Sequence, residues 1–142
     1  AGGIADGVKL RDVVIGMGAC TDSNYAAQYR LPGTFAPTAD FGLLERAVSL
    51  ARERNVPHRV GNLLSSDLFY GDYADNLKDW KKMGVLAVEM EAAALYMNAA
   101  RCGKKALAMA TVSDLPLTGE GTTAEERQTT FTQMMEIALR LA

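Results

Sequence analysis

Two glutamates, Glu89 and Glu91, follow the apolar run Val85–Val88 and precede an alanine-rich segment. A buried carboxylate normally needs a partner or loses its charge, so both residues need a physical explanation. In one explanation, Glu91 lies in the first turn of a helix, where the dipole favours an anion, and Glu89 is solvated or paired. The alternative is chemical: paired carboxylates can cleave a glycosidic bond, and one carboxylate can accept hydrogen bonds from two sugar hydroxyls.

Asp114 is a second candidate for chemistry, because it ends the apolar segment that begins at Leu107. It is either a capping or turn residue, or an acid or base at the mouth of a sheet. Partial burial makes an aspartate hold its proton more readily, and an approaching arginine lowers its pKa again. An aspartate with a movable arginine is therefore a tunable proton donor. Arg127 is the candidate arginine, although its position fits a surface residue equally well.

Three further residue types narrow the possible mechanisms. Phe69, in a predicted loop, either packs on the core or offers a stacking surface to a flat ring. His58 is the only histidine and lies at a predicted helix-to-strand junction, so we interpret it as structural, which argues against a Ser-His or Cys-His nucleophile. Cys20 and Cys102 lack C-x-x-C spacing and clustered histidines, so no metal site is expected, and we expect two buried, reduced thiols.

Strand-like and helix-like segments alternate along the chain. The predicted strands are residues 12–19, 58–64, 85–90 and 106–112, and the predicted helices are residues 40–55, 76–83, 91–102 and a last helix from 122 or 123. This order predicts one α/β domain over residues 1–142, with a largely parallel sheet flanked by helices. Ligands bind beyond the carboxyl ends of the strands in such sheets.

Polar residues follow three of the predicted strands. These groups are Ser65-Ser66-Asp67, Glu89-Met90-Glu91 and Ser113-Asp114. Any one group could be a helix cap or a turn, but together they predict a single shared crevice.

Predicted capping residues and apolar faces support the helix assignments. Asp40 is the predicted N-cap of the first helix, and Thr123 with Glu126 fits a capping box at the start of the last helix. Gly103 is a predicted helix stop. The predicted apolar faces are Leu44, Ala47, Val48 and Ala51 in the first helix, and Phe131, Met134, Met135, Ala138 and Leu141 in the last.

Composition limits the class of protein. Hydrophobic residues make up 49% of the 142 residues and charged residues 23%, which is typical of one globular domain. A net charge of -2 provides no broad attraction to nucleic acid or an anionic membrane. No apolar run approaches the roughly 20 residues that span a bilayer. The first residues lack the pattern of a secretory signal, and we expect a cytoplasmic protein.

Several segments together resemble a known family. The segments KLRDVVIGMGACTDS, VGNLLSSDLFY, VEMEAAALY, TVSD and TTAEERQTTF are similar to bacterial purine nucleoside phosphorylases of the hexameric type. The resemblance covers essentially the whole chain, and only residues 24–37 and 71–80 diverge. It implies a phosphorylase/hydrolase-like fold with a mixed sheet, a homohexamer built as a trimer of dimers, and no cofactor other than phosphate as co-substrate. The implied reaction, in purine salvage, is reversible phosphorolysis of purine ribo- or deoxyribonucleosides to the free base and the sugar 1-phosphate.

The resemblance also implies roles for the residues that would bind the nucleoside. Glu91 would hold the ribose 2′- and 3′-hydroxyls, with Met90 packed against the sugar. Val88 and Phe69 would line the base pocket. Glu89 would lie beside the base and the sugar.

A second group of implied roles concerns the chemical step. Asp114 would protonate purine N7 as the glycosidic bond breaks, and Arg127 would approach Asp114 and assist. Ser113 would flank the site. Ala1 and Gly2 match the end of a glycine-containing loop of the family.

The chain also departs from the family. The family's phosphate-binding residues, which include arginines, one of them from a neighbouring subunit, precede the glycine loop within which this chain begins. We therefore expect a C-terminal portion that carries the sugar and base site and the general acid, with little activity and an exposed sheet edge when isolated. Leu115-Pro116 is a smaller departure beside the base. A related nucleosidase that uses water and an inactive nucleoside-binding fragment remain alternatives.

Overall fold

A computed structural model of the protein describes residues 1–69 and 74–141. Tyr70, part of one of the family-like segments, lies outside the described residues. The strands are β1 Gly2–Gly3, β2 Val13–Thr21, β3 His58–Ser65, β4 Ala87–Glu89, β5 Ala108–Thr111, β6 Asp114–Leu115 and β7 Glu120–Gly121. The helices are α1 Phe41–Glu53, α2 Ala74–Lys82, α3 Ala92–Arg101, α4 Ala124–Thr130 and α5 Thr132–Leu139, with a 3₁₀ helix at Tyr25–Tyr29. The predicted α/β class is confirmed.

The seven described strands form one mixed sheet in the order β5-β2-β3-β4-β1-β6-β7. Its centre is parallel: β2 pairs with β3, and β3 pairs with β4. Side chains alternate between the two faces of the sheet, so both faces of β2 are buried. Val14 packs in the core on the α3 side, while Val13 and Ile15 pack on the α1 and α5 side. A strand that is covered on both faces reads as a continuous apolar run, which is why β2 was predictable.

Parallel pairing is confined to the sheet centre and to β1 with β6, and the fourth predicted strand, now β5, runs antiparallel to β2. The carboxyl end of β5 therefore lies at the opposite end of β2 from the carboxyl end of β3, with Thr111 paired to Val13. Asp114 reaches the β4 end by another route, because β6 pairs with β1, and β1 pairs with β4. The shared crevice was predicted from parallel strand ends, whereas curling of the sheet brings Asp114 there.

The predicted helix caps and stop are confirmed. The Asp40 carboxylate accepts a hydrogen bond from the N–H of Leu43 (3.0 Å) at the start of α1. Thr123 and Glu126 form the capping box of α4. Gly103, with φ +62°, follows the end of α3, in a conformation that glycine adopts at little cost.

The last predicted helix is divided into α4 and α5 at Phe131, whose backbone has φ −89° and ψ 49°. The hydroxyls of Thr129 and Thr130 donate to the carbonyls of Glu125 (2.8 Å) and Glu126 (2.6 Å). Such back-bonding bends helices, and β-branched threonines favour the helix less than most residues do. A run of threonines is thus the physical reason for the division.

The division also changes which residues of α5 are buried. Ile137, absent from the predicted face, is fully buried against α1, and Met134 and Leu141 pack beside it. Met135 was predicted on the apolar face but is 47% exposed. Because α5 restarts at Thr132, its helical phase differs from that of an uninterrupted helix.

The remaining single-residue predictions concern the histidine and the two cysteines. His58 lies at the start of β3 and its Nδ1 atom is 2.8 Å from the carbonyl oxygen of Val56, away from the crevice. Cys20 and Cys102 are free thiols, but only Cys20 is partly buried, where burial raises its pKa. Cys102 is exposed, because it directly follows α3 at the surface, so its predicted burial is wrong.

Among the described residues, no helix has the length and apolar character needed to cross a membrane.

Candidate functional site

All ten residues predicted for the site line one pocket of about 340 Å³. They are Ala1, Gly2, Phe69, Val88, Glu89, Met90, Glu91, Ser113, Asp114 and Arg127. Because these residues come from five separate segments of the chain, their convergence is a property of the fold. The structure brings the whole predicted set together at the carboxyl end of β4.

The short strand β1 lies at the centre of this pocket. Gly2 is paired with Val88 on one side and with Asp114 on the other. A Cβ atom at Gly2 would lie 3.1 Å from the Asp114 Oδ2 atom and 3.1 Å from the ring of Pro116. Such contacts are tight, so a glycine here lets the backbone of β1 lie close to the side chains of Asp114 and Pro116.

The Glu89 carboxylate holds the N-terminus of α3. Its Oε2 atom accepts hydrogen bonds from the N–H groups of Glu91 (2.7 Å) and Ala92 (2.8 Å). Its Oε1 atom accepts from the hydroxyl of Ser65, its register partner on β3. The Ser65 hydroxyl also accepts from the N–H of Ala93 (2.8 Å). The charge at the end of this strand is thus stabilised by helix N–H groups.

Glu91 is engaged much less. It is the N-cap residue of α3, with φ −129° and ψ −30°, but its side chain makes no capping hydrogen bond. Its carboxylate accepts one long bond, from the N–H of Met90 (3.3 Å). The side chains of Met90 and Glu91 are both exposed in the pocket. The two glutamates are therefore distinct: Glu89 supports the helix, while Glu91 retains acceptor capacity for a ligand.

Asp114 and Arg127 face the pocket from its other side. The Asp114 Oδ1 atom accepts a hydrogen bond from the Ser113 hydroxyl (2.6 Å). The Arg127 guanidinium donates to the carbonyl oxygen of Thr122 (2.9 Å) instead of to Asp114. The Thr122 hydroxyl and N–H both donate to the Ser113 carbonyl (2.8 Å each), which ties the start of α4 to β6. The carboxylate and the guanidinium thus share a pocket without forming an ion pair.

The loop that carries Phe69 is anchored at its start by Asp22, at the end of β2. The Asp22 carboxylate accepts from the Ser66 hydroxyl (2.8 Å) and from the N–H of Asp67 (3.0 Å). Beyond this anchor, Leu68 and Phe69 are 60% and 69% exposed at the pocket edge. Such aromatic and aliphatic surface can pack against a flat, apolar ring.

Four residues outside the ten predicted site residues also contribute. Ser66, Leu68 and Pro116 line the pocket, and Asp22 anchors the start of the loop that carries Phe69. The polar group that ends β3 was noticed in the sequence, so Ser66 had a visible signal. Asp22 had none, because its contacts depend on pairing between β2 and β3.

The chemistry open to this pocket follows from its donors and acceptors. Within residues 1–69 and 74–141, no cluster of three His, Cys, Asp or Glu side chains is placed to hold a metal ion. The described lining residues offer two carboxylates with acceptor capacity, Glu91 and Asp114, one guanidinium and an apolar rim. This arrangement fits a polyhydroxylated ligand that carries a flat ring, with an acid or base beside it.

Sequence comparison places the chain in a superfamily. A profile of the phosphorylase superfamily matches residues 1–142, so the chain belongs to that superfamily. It is 51% identical over 142 residues to a DeoD-type purine nucleoside phosphorylase of Clostridium novyi, and 54% identical over 138 residues to that of Clostridium beijerinckii. The corresponding enzyme of Bacillus cytotoxicus is 53% identical over 142 residues.

These alignments cover 97–99% of this chain but only 58–60% of each relative. The chain therefore spans about three fifths of the length of the curated relatives it matches.

Proposed function

We propose that this chain forms the nucleoside-binding part of a purine nucleoside phosphorylase, in which a purine nucleoside and phosphate give the free base and the sugar 1-phosphate. The convergence of all ten predicted residues on one pocket carries the proposal. The names of the most similar relatives support it, since each is a DeoD-type purine nucleoside phosphorylase. We also propose a homohexamer as the working assembly, because the motifs resemble the hexameric type of the family.

In the proposed complex, Glu91 accepts hydrogen bonds from the 2′- and 3′-hydroxyls of the sugar, and Met90 packs against the sugar ring. Val88 and Phe69 contact the base. The exposed carboxylate of Glu91, the exposed thioether of Met90 and the exposed ring of Phe69 support this orientation. The aromatic face of Phe69 would stack on the flat purine.

The proposed reaction is general acid catalysis by Asp114. Its carboxylic acid gives a proton to purine N7 as the C1′–N9 bond breaks and the bonding electrons leave with the base. A phosphate oxygen then forms the new bond to C1′ of the oxocarbenium-like sugar. General acid catalysis typically accelerates a reaction by ~10²–10⁴-fold. Arg127, on the same pocket wall, can turn from Thr122 towards Asp114 and stabilise the carboxylate that remains.

The phosphate site is proposed to be completed by residues other than those described. Arg127 is the only cationic side chain among the described residues that line the pocket. A phosphate dianion is normally held by several charged or N–H donors. The remaining donors are therefore assigned to segments of the full-length protein, or of a neighbouring subunit, that correspond to the unmatched part of the relatives.

The test is release of hypoxanthine from inosine by the full-length protein, with and without phosphate, and with uridine as the control substrate. Release that requires phosphate, with no reaction of uridine, is the expected result. Release in the absence of phosphate would identify a nucleosidase instead. Residues 1–142 alone should react at near-background rates, and robust phosphorolysis by them would contradict the assignment of the phosphate donors.

A further inference from the structure

The start of α3 is capped by side chains from two strands and not by its own N-cap residue. The first N–H groups of a helix lack intrahelical partners. In α3, Glu89 accepts from the N–H groups of Glu91 and Ala92, and Ser65 accepts from that of Ala93. The hydroxyl of Ser65 donates to Glu89, so the two caps are joined into one network.

The Ser65 part of this network is buried and is hydrogen-bonded to a third strand. Ser65 is 5% exposed, and its carbonyl oxygen accepts a hydrogen bond from the Thr21 hydroxyl on β2 (2.7 Å). Ser65 and Glu89 are also register partners at the ends of β3 and β4. The positions of both side chains are therefore determined by three adjacent strands, which makes the network a rigid support.

This network fixes the backbone at Glu91. Its N–H is held by Glu89, and the next two N–H groups along α3 are held by Glu89 and Ser65. The Glu91 side chain itself takes no part in capping. The Glu91 carboxylate takes no part in capping, while the N–H of Glu91 and the next two N–H groups are hydrogen-bonded. This carboxylate can therefore be presented to a ligand in one orientation.

We propose that Ser65 is a positioning residue for Glu91, acting through Glu89. This inference rests on the proposed function, in which Glu91 binds the sugar hydroxyls. Glu89 supports the network with its carboxylate and is not itself the sugar ligand. Because Ser65 acts through Glu91, it affects recognition of the sugar hydroxyls and not recognition of the base.

The test compares inosine with 2′,3′-dideoxyinosine, which lacks both hydroxyls that Glu91 would bind. In the full-length protein, Ser65→Ala should lower the ratio of kcat/KM for inosine to that for dideoxyinosine by about 5- to 30-fold, the range expected when one or two kcal/mol of hydrogen bonding to a charged group is lost. In a Glu91→Ala background, Ser65→Ala should change this ratio little further, because coupled residues are not additive. An unchanged ratio in Ser65→Ala, or effects that multiply in the double variant, would overturn the proposal.

Two controls separate positioning from general damage. Asp40→Ala removes the cap of α1, away from the pocket, and should lower Tm without changing the substrate ratio. Glu89→Gln keeps the size of the side chain, loses its charge, and should lower the ratio in the same direction even if Ser65→Ala does not fold. A reduced ratio in Asp40→Ala, or an unchanged one in Glu89→Gln, counts against the proposal.

A readout without substrate keeps the inference separate from the proposed function. Amide hydrogen exchange at Glu91, Ala92 and Ala93 should be about 5- to 30-fold faster in Ser65→Ala than in the wild type. Unchanged exchange would overturn the network as a support. Faster exchange in a protein that does not cleave inosine would instead contradict the proposed function and leave the support intact.

Discussion

The Asp114 carboxylate, the proposed proton donor, is hydrogen-bonded only locally among the described residues. Its carboxylate accepts one hydrogen bond, from the hydroxyl of Ser113, the residue next to it. Its Oδ2 atom lies beside the backbone of Gly2 at the pocket wall. A carboxylate whose partner is its own neighbour holds no distant elements together, so its removal should affect chemistry more than folding.

Asp114→Ala should lower kcat for inosine by about 10²–10⁴-fold, because the departing base then loses its proposed proton donor. KM should change far less, since the proposed sugar and base contacts remain. Steady-state kinetics of the full-length variant would measure both effects. Equal losses of rate and affinity, accompanied by a clear fall in Tm, would instead indicate a structural role for Asp114.

The helix that carries Arg127 depends on its capping box. The N–H of Thr123 donates to the Glu126 carboxylate (2.8 Å), and the N–H of Glu126 donates to the Thr123 hydroxyl (3.1 Å). Glu126 also forms an ion pair with Arg11 (2.6 Å). These contacts, chiefly the backbone N–H of Thr123, lower the pKa of Glu126 below its usual range. A charged Glu126 is therefore favoured in the folded protein.

This shift predicts how acid affects α4. Because the folded pKa of Glu126 is lowered, its stabilising contribution is present above the unfolded pKa and is lost as pH falls through the folded pKa. Glu126→Gln should lower Tm at neutral pH, and the difference from the wild type should shrink as pH falls below the usual glutamate range. Thermal unfolding followed by circular dichroism at several pH values measures this, with Glu125→Gln as the control in the same turn. A constant difference across pH would contradict the role assigned to the Glu126 charge.

At the scale of the whole molecule, one buried hydroxyl links three elements. The Tyr96 hydroxyl of α3 donates to the carbonyl oxygen of Gly16 on β2 and accepts from the N–H of Ala108 on β5 (2.9 Å). Gly16 and Ala108 are the last register pair between these strands. Tyr96 is 1% exposed, and its burial raises the pKa of its hydroxyl. The hydroxyl therefore satisfies two backbone groups at the point where the β2–β5 pairing ends.

Tyr96→Phe should lower the free energy of unfolding by about 1–3 kcal/mol, because it leaves a buried carbonyl and a partly buried N–H without their partner. Urea unfolding of the wild type and the variant measures the difference. Tyr29→Phe is the matched control: its hydroxyl bonds the exposed side chain of Asn98, so a change within about 0.5 kcal/mol is expected. Similar losses in both variants would show that the position of the hydroxyl is unimportant.

Local patterns in the sequence were sufficient for most elements. Covered strands such as β2 read as apolar runs, and the caps at Asp40 and Thr123 depend on residues at most three positions away. The break at Phe131 was missed, because the threonine hydroxyls that disturb the helix compete only weakly with its apolar pattern. The ten site residues came from a resemblance of motifs, and they do line one pocket.

Tertiary structure alone decided how those residues are combined. The sequence by itself determined an α/β chain of the phosphorylase superfamily and indicated its charged candidate site residues. It could not show that Glu89 caps α3, because that network depends on Ser65, 24 positions before Glu89 in the chain. Nor could it show that Asp114 reaches the pocket through β1 and a curled sheet, since strand direction and register arise from long-range pairing.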